Sequence, residues 1–302
     1  MRRDAQREPW AMSAAPRRAL LRTLAAWPLG AALAARAAAP APVPAARIVA
    51  LGGALTEVVY LLGAEGQLVG TDTTSLFPDA AQRTAKVGYM RQLSAEGLLS
   101  LRPDAVMGTT EAGPAVVLDQ VRTAGVRVEL VAADHSWDEV RRKVALVGGV
   151  TGRQRQAQAL QARLDAEWAQ VGQAVAATAT RPRALFILSH GGSPMVAGAG
   201  TAADALIRFA GGVNAITQFA GYRPLTAEAM AQAAPQVLVN TAQGIAALGG
   251  QQAFWQRPEL ALAPAFRRKA LVSMEASHLL GFGPRLPGAV GELHARMQAL
   301  VA

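Results

Sequence analysis

One long amphipathic stretch near the middle of the chain limits how the chain can fold. Between residues 152 and 177, apolar side chains recur every three or four positions, from Ala157 and Leu160 to Val175. Gly172 is the only glycine after position 152 in this stretch, and the stretch contains no proline. The spacing therefore predicts a single continuous helix that separates an earlier part of the chain from a later part.

Both parts alternate short apolar runs with amphipathic stretches. The apolar runs predict buried strands at 47–51, 67–70, 104–107, 127–131, 184–188, 236–239 and 270–273. Between them, the amphipathic stretches predict helices, and strands that alternate with helices are typical of parallel sheets covered on both faces. We therefore predict an α/β fold with two Rossmann-like lobes, each with a parallel sheet, joined by one long α-helix and separated by a ligand cleft.

The predicted domains follow from these patterns. An Ala/Pro-rich linker is expected at 38–46, an N-terminal α/β lobe at 47–151, the connecting helix at 152–178 and a C-terminal α/β lobe at 179–302.

The first residues have the pattern of an export signal. Arg17 and Arg18 precede a charge-free apolar run at 23–35, which ends in small residues. Paired arginines in this position resemble a twin-arginine signal, although the general secretory route also accepts basic starts. A membrane anchor is the alternative, but the run is short and Pro28 interrupts it. We predict that residues 1–37 are an export signal and that the protein works in the periplasm.

Most of the positive charge lies in this segment. The chain has 30 basic and 21 acidic residues and a net charge of +9. Residues 1–37 hold seven of the basic and two of the acidic residues, which leaves +4 for residues 38–302. Since no stripe interleaves basic with aromatic residues, we predict no nucleic-acid partner. The chain has no cysteine, which excludes disulfides, thiolate metal sites and cysteine nucleophiles.

A short repeat relates the two predicted lobes. The segment 93–107 aligns without gaps on 225–239, and each is preceded by Gly-Tyr. The shared order is Leu, Ser or Thr, Ala and Glu, with a proline seven residues after the glutamate and then a strand. It predicts a tyrosine loop, an N-capped short helix and a strand in each lobe. Two such lobes facing each other would place both tyrosine loops at the mouth of the cleft.

These features resemble the helix-linked periplasmic substrate-binding proteins of ABC importers, which serve vitamin B12, siderophores and haem. The segments 87–101, 188–192 and 221–228 are similar to those of the haem-binding branch. The resemblance implies a non-catalytic protein that captures haem b as its transported ligand and delivers it to an ABC permease dimer. An outer-membrane haem receptor system upstream is a further partner that the resemblance allows.

Three other functions fit parts of the sequence. A cobalamin or ferric-siderophore binder has the same architecture but does not require the Gly-Tyr-Met-Arg segment. A secreted hydrolase would use Ser189, His190 or Ser193, yet no Gly-x-Ser-x-Gly motif accompanies them. A structural protein of the cell envelope would bind no small ligand.

Tyr89 is the candidate iron ligand. In the haem branch, the tyrosine of the Gly-Tyr-Met-Arg segment is the axial ligand, so the resemblance implies this role here. A phenolate oxygen is an anionic donor found on ferric haem iron, but the free phenol titrates near about pH 10, so a nearby donor must help to hold the phenolate. Because residues two apart share one side of an extended loop, we expect Arg91 to hydrogen-bond the Tyr89 oxygen. The alternative is a loop tyrosine beside a solvated arginine.

The other site residues are assigned through the resemblance. Tyr222 is expected to pack on or hydrogen-bond the porphyrin, and Arg223 to pair with a propionate. His190 follows a predicted strand and is a candidate for a further iron ligand, the alternative being a structural histidine. Glu96 and Glu228 occupy matching first-turn positions and are expected to dock onto arginines of the permease, although each also suits the helix dipole.

Overall fold

The alternation of apolar and amphipathic stretches produces two α/β lobes, which confirms the predicted fold class. The structure is a computed structural model that describes residues 46–189 and 193–302. The predicted export signal and His190 lie outside the described residues.

The N-terminal lobe is built on a parallel four-stranded sheet. Its strands are β1 (Ile48–Ala50), β2 (Leu68–Thr71), β3 (Ala105–Thr109) and β4 (Arg127–Val131), in the order β2-β1-β3-β4. Its helices are α1 (Gly53–Leu61), α2 (Ala95–Ser100), α3 (Ala115–Thr123) and α4 (Trp137–Thr151), with short 3-10 helices at Glu65–Gln67 and Asp79–Arg83. Strands β1 and β3 are fully buried, as expected for a sheet covered on both faces.

The C-terminal lobe has a mixed sheet. Its strands are β5 (Arg183–Leu188), β6 (Met195–Ala197), β7 (Val213–Asn214), β8 (Tyr222–Pro224), β9 (Val237–Thr241) and β10 (Leu271–Met274). Strands β10, β9 and β5 are parallel, whereas β6 and β8 add an antiparallel edge and β7 pairs with the start of β5. The antiparallel strands are three residues long, too short to give a periodic signal in the sequence.

Helices cover this sheet and link it to the first lobe. The C-terminal helices are α6 (Ala202–Phe209), α7 (Ala227–Ala233), α8 (Ala242–Ala247), α9 (Gln251–Trp255), α10 (Pro264–Arg268), α11 (Ala276–Leu280) and α12 (Leu286–Val301), with a 3-10 helix at Pro258–Leu260. The linking helix α5 (Gln154–Ala176) has 23 residues and is about 34 Å long.

One hydrophobic core extends through both lobes and α5. It joins Ile48 of β1, Leu164 of α5 and Phe186 of β5, all of them buried. Trp168 of α5 stacks on Trp137 of α4 at a ring-centroid distance of 4.8 Å and packs edge-to-face with Phe209 at 5.0 Å. Because interiors this closely packed resist deformation, α5 restricts how far the lobes can move apart.

The segment 281–285, between α11 and α12, ties the C-terminal lobe directly to the N-terminal lobe. Buried Lys143 of α4 donates a 2.9 Å hydrogen bond to the Phe282 carbonyl oxygen. Arg285 donates two hydrogen bonds, of 2.8 and 2.6 Å, to the carboxylate of buried Glu57 in α1. Burial raises the pKa of Glu57, and the hydrogen bonds and charge of Arg285 offset only part of that effect. These contacts join the two lobes directly.

None of the helices within the described ranges is long and apolar enough to cross a bilayer.

Candidate ligand-binding site

The loops at the carboxyl ends of β1 and β2 form the N-terminal side of the cleft. Asp72 follows β2, is fully buried and organises these loops. Its carboxylate accepts hydrogen bonds from the Gly52 amide at 2.9 Å, the Thr74 amide at 3.0 Å and the Ser75 hydroxyl at 2.8 Å. Asp72 was not predicted as a site residue, although it is an acidic residue two positions after the predicted strand 67–70. This network gives the neighbouring tyrosine loop a rigid base.

Tyr89 lies on that loop, with its backbone fixed and its ring accessible. The Gly88 carbonyl accepts from the Thr73 amide at 3.0 Å, and the Met90 carbonyl accepts from the Gly113 amide at 2.9 Å. Gly88 has a φ of +97°, which L side chains rarely adopt. Tyr89 itself is 40% exposed, and among the described residues its hydroxyl has no hydrogen-bond partner. Its oxygen is therefore available to a ligand.

Arg91 has a different partner from the one expected. A hydrogen bond from Arg91 to the Tyr89 oxygen was predicted, but the Arg91 guanidinium donates to the Glu111 carboxylate at 2.6 Å. Two backbone hydrogen bonds join the segment carrying Arg91 to the loop carrying Glu111: Gly113 donates to Met90, and Leu93 donates to Gly113. They bring the two side chains together, and an ionised carboxylate is a stronger acceptor than a neutral phenol.

Tyr222 reaches the cleft from the C-terminal lobe. It begins β8 and pairs with Ala197 of β6. The residue is 37% exposed. Burial of the remainder of the side chain raises the pKa of the phenol. The charge of Arg91 and contact with Thr201 lower that pKa in part, while the charge of Glu111 raises it further. The charges of Arg91 and Glu111, both in the N-terminal lobe, thus act on the Tyr222 phenol of the C-terminal lobe.

Arg223, the next residue in β8, lies on an aromatic ring. Its guanidinium carbon is 4.5 Å from the centroid of Phe219. A stacked guanidinium keeps its in-plane N–H groups available for a carboxylate. The predicted pairing with a propionate stays a prediction.

Glu96 and Glu228 occupy equivalent exposed positions, as the repeat predicted. Each lies in the first turn of its short helix, α2 or α7. In α2 the Ser94 hydroxyl accepts from the Gly97 amide at 3.1 Å, and in α7 the Thr226 hydroxyl accepts from the Ala229 amide at 3.0 Å. Among the described residues neither glutamate forms an ion pair.

Two other concave regions lie away from the cleft. Depressions of about 230 and 330 Å³ follow the linking helix, one between α4 and α5 and one between α5 and α12. Neither is lined by an aromatic residue, so we place the site in the cleft that brings Tyr89 and Tyr222 together. Within the described ranges, no group of three or more histidine or acidic side chains is arranged to hold a metal ion.

The fold and the cleft define a two-lobed solute-binding protein. The chain belongs to the periplasmic binding protein family, whose family model matches residues 48–277. Among solved structures it is similar to the periplasmic heme-binding protein BhuT in complex with two hemes. The two chains are 46% identical with a TM-score of 0.81, and the match covers 85% of this chain and 99% of BhuT.

Two curated proteins are also similar to this chain. The uncharacterized ABC transporter substrate-binding lipoprotein YvrC of Bacillus subtilis strain 168 is 25% identical over 251 residues, which cover 82% of this chain and 78% of YvrC. The vitamin B12-binding protein of Vibrio vulnificus strain YJ016 is 26% identical over 85 residues, which are 28% of this chain and 31% of that protein.

Proposed function

We propose that this protein binds ferric haem between its lobes and delivers it to the permease of an ABC importer. The observation that carries the proposal is Tyr89, an accessible tyrosine on a rigid loop at the cleft, within a Gly-Tyr-Met-Arg segment. The similarity to a heme-binding protein at 46% identity supports the same ligand. The protein acts by binding and release, without catalysis.

The two cleft tyrosines have different roles in this proposal. Tyr89 coordinates the iron as a phenolate, for which ferric haem is a suitable partner. Tyr222 stays a neutral phenol, because burial raises its pKa, and contacts the porphyrin from the opposite lobe. Arg223 pairs with a propionate, and His190 is a candidate for a further iron ligand.

Titration of the purified protein tests the ligand. We expect a saturable Soret band with ferric haem, accompanied by a visible charge-transfer band from the tyrosine to the iron. Cyanocobalamin and a ferric siderophore serve as competitors. Tight binding of cobalamin without saturable haem binding would contradict the proposal and favour the function of the vitamin B12-binding relative.

We also propose that Glu96 and Glu228 dock the loaded protein onto the permease dimer. Their exposure, equivalent positions and lack of ion pairs among the described residues support this role. Changing both, as Glu96→Lys with Glu228→Lys, should abolish haem import and leave haem binding unchanged. Glu65→Lys, an exposed acid after α1, is the control. Unimpaired import by the double variant would exclude docking through these residues.

Export by the N-terminal segment is part of the same proposal. Residues 1–37, with Arg17 and Arg18, carry the protein to the periplasm as a twin-arginine signal. Changing both arginines to lysine should retain the protein inside the cell, and unchanged export would exclude the twin-arginine route.

A further inference from the structure

Glu111 places a carboxylate beside Arg91, which lies two residues after the proposed iron ligand Tyr89. Its loop follows β3 and is joined by backbone hydrogen bonds to the segment 90–93. The Glu111 carboxylate accepts from the Arg91 guanidinium at 2.6 Å. This contact engages the Arg91 guanidinium.

The charge of Glu111 acts on both sides of the cleft. It acts on the phenol of Tyr222 in the opposite lobe and on the buried ammonium of Lys143. The charges of Glu111 and Arg91 have opposite effects on the pKa of the Tyr222 phenol. A ligand that enters between Tyr89 and Tyr222 therefore meets a carboxylate already paired with the cleft arginine.

The pair contributes little to folding. The Arg91 and Glu111 side chains are 53% and 37% exposed, and ion pairs with this exposure add little to stability. A variant at Glu111 should consequently fold normally. Any effect on ligand binding can then be assigned to the cleft rather than to a damaged fold.

We propose that Glu111 is a positioning residue that holds Arg91 in an ion pair and gives it up to a carboxylate of the incoming ligand. This inference rests on the proposed haem function, because the propionates of haem are the carboxylates that take over Arg91. Loading then exchanges one ion pair for another. Glu111 opposes anionic ligands until the exchange occurs and favours release afterwards.

Replacing Glu111 tests the exchange. Glu111→Gln should tighten the binding of ferric haem about two- to fivefold, since Arg91 no longer has to leave a carboxylate. The gain should be largely absent with haem dimethyl ester, which keeps the iron and the ring but lacks the propionate charges. Glu129→Gln is the matched control, since Glu129 pairs with Arg127 in β4 at similar exposure.

A second readout needs no haem. In the ligand-free protein, Glu111→Gln should lower the pKa of Tyr222, followed by NMR with ¹³C-labelled tyrosine. The chain has three tyrosines, and Tyr222→Phe identifies the signal. If Tyr222 has the same pKa in Glu111→Gln and in the unmodified protein, the Glu111 charge does not act in the cleft and the proposal is wrong.

The outcomes separate this inference from the proposed function. If the unmodified protein binds haem but Glu111→Gln binds it no more tightly than Glu129→Gln, the exchange is wrong and the haem function stands. An equal gain with haem and its dimethyl ester would also overturn the exchange. If the unmodified protein does not bind haem, the proposed function fails and the exchange fails with it.

Discussion

The Gly-Tyr segments of the two lobes have similar sequences but different structures. Gly88 and Gly221 both have positive φ angles, of +97° and +77°. Tyr89 follows on a loop held by backbone hydrogen bonds, whereas Tyr222 begins an edge strand. The two tyrosines of the repeat therefore lie in different backbone environments, one on a loop and one on a strand.

The difference between the tyrosines has a chemical consequence. The Tyr222 phenol is partly enclosed, and burial raises its pKa. The Tyr89 hydroxyl has no hydrogen-bond partner among the described residues. A tyrosine that binds iron must give up its proton, which an enclosed phenol does less readily. This difference agrees with the proposed roles, in which Tyr89 coordinates the iron and Tyr222 makes a supporting contact.

Replacing each tyrosine with phenylalanine should show the largest difference between the two residues, measured as loss of haem affinity. Tyr89→Phe removes the proposed ligand oxygen and should weaken haem binding by at least roughly 100-fold and abolish the charge-transfer band. Tyr222→Phe removes only a neutral hydroxyl and should weaken binding by about tenfold or less, with the band retained. Absorption titrations measure both effects. Equal losses in the two variants would contradict the division of roles.

The next prediction concerns the ion pair between Glu57 and Arg285, which joins the two lobes. Arg285→Met leaves the Glu57 carboxylate buried without its partner and should lower the free energy of unfolding by about 3 kcal/mol. Urea denaturation measures this value. The double variant Glu57→Leu with Arg285→Met removes both charges and should recover most of the loss. A double variant as unstable as Arg285→Met alone would show that the ion pair is not the cause.

The helix caps are the part of the repeat that both lobes share. Ser94→Ala and Thr226→Ala each remove one hydrogen bond that a helix amide donates to a side-chain oxygen, at 3.1 and 3.0 Å. Each change should cost about 1 kcal/mol of unfolding free energy. Chemical denaturation of the two variants measures the costs. Clearly unequal costs would show that the shared motif is not equally important in the two lobes.

The smallest effect is a pH dependence at the lobe junction. The pKa of Glu57 is raised in the folded protein, mainly by burial, so the folded state binds the proton more tightly than the unfolded state does. Glu57 therefore makes stability increase as the pH falls from above its folded pKa toward the unfolded value of 4.5. Glu57→Gln should lack this contribution. Unfolding measured against pH in both proteins tests it, and identical profiles would contradict it.

The sequence predicted the parts of this molecule that local patterns determine. The regular spacing of Ala157, Leu160 and Leu164 predicted α5, and Ser94 and Thr226 predicted the capped helices that follow each tyrosine. Side-chain partners distant in the sequence could not be predicted in this way. Glu57 and Arg285 are 228 positions apart, so only the assembled fold brings them together.

The cleft shows the same limit. The spacing of Tyr89 and Arg91 suggested a direct hydrogen bond, but the competing carboxylate of Glu111 comes from another loop, 20 positions later. Short elements were also missed, because three residues of β6 or β8 carry no period.

The most direct test of the account is a crystal structure of the protein loaded with ferric haem. We predict that the Tyr89 oxygen coordinates the iron and that Tyr222 contacts the porphyrin without coordinating it. Iron coordinated by Tyr222, or by His190 with Tyr89 displaced from the metal, would contradict the central claim.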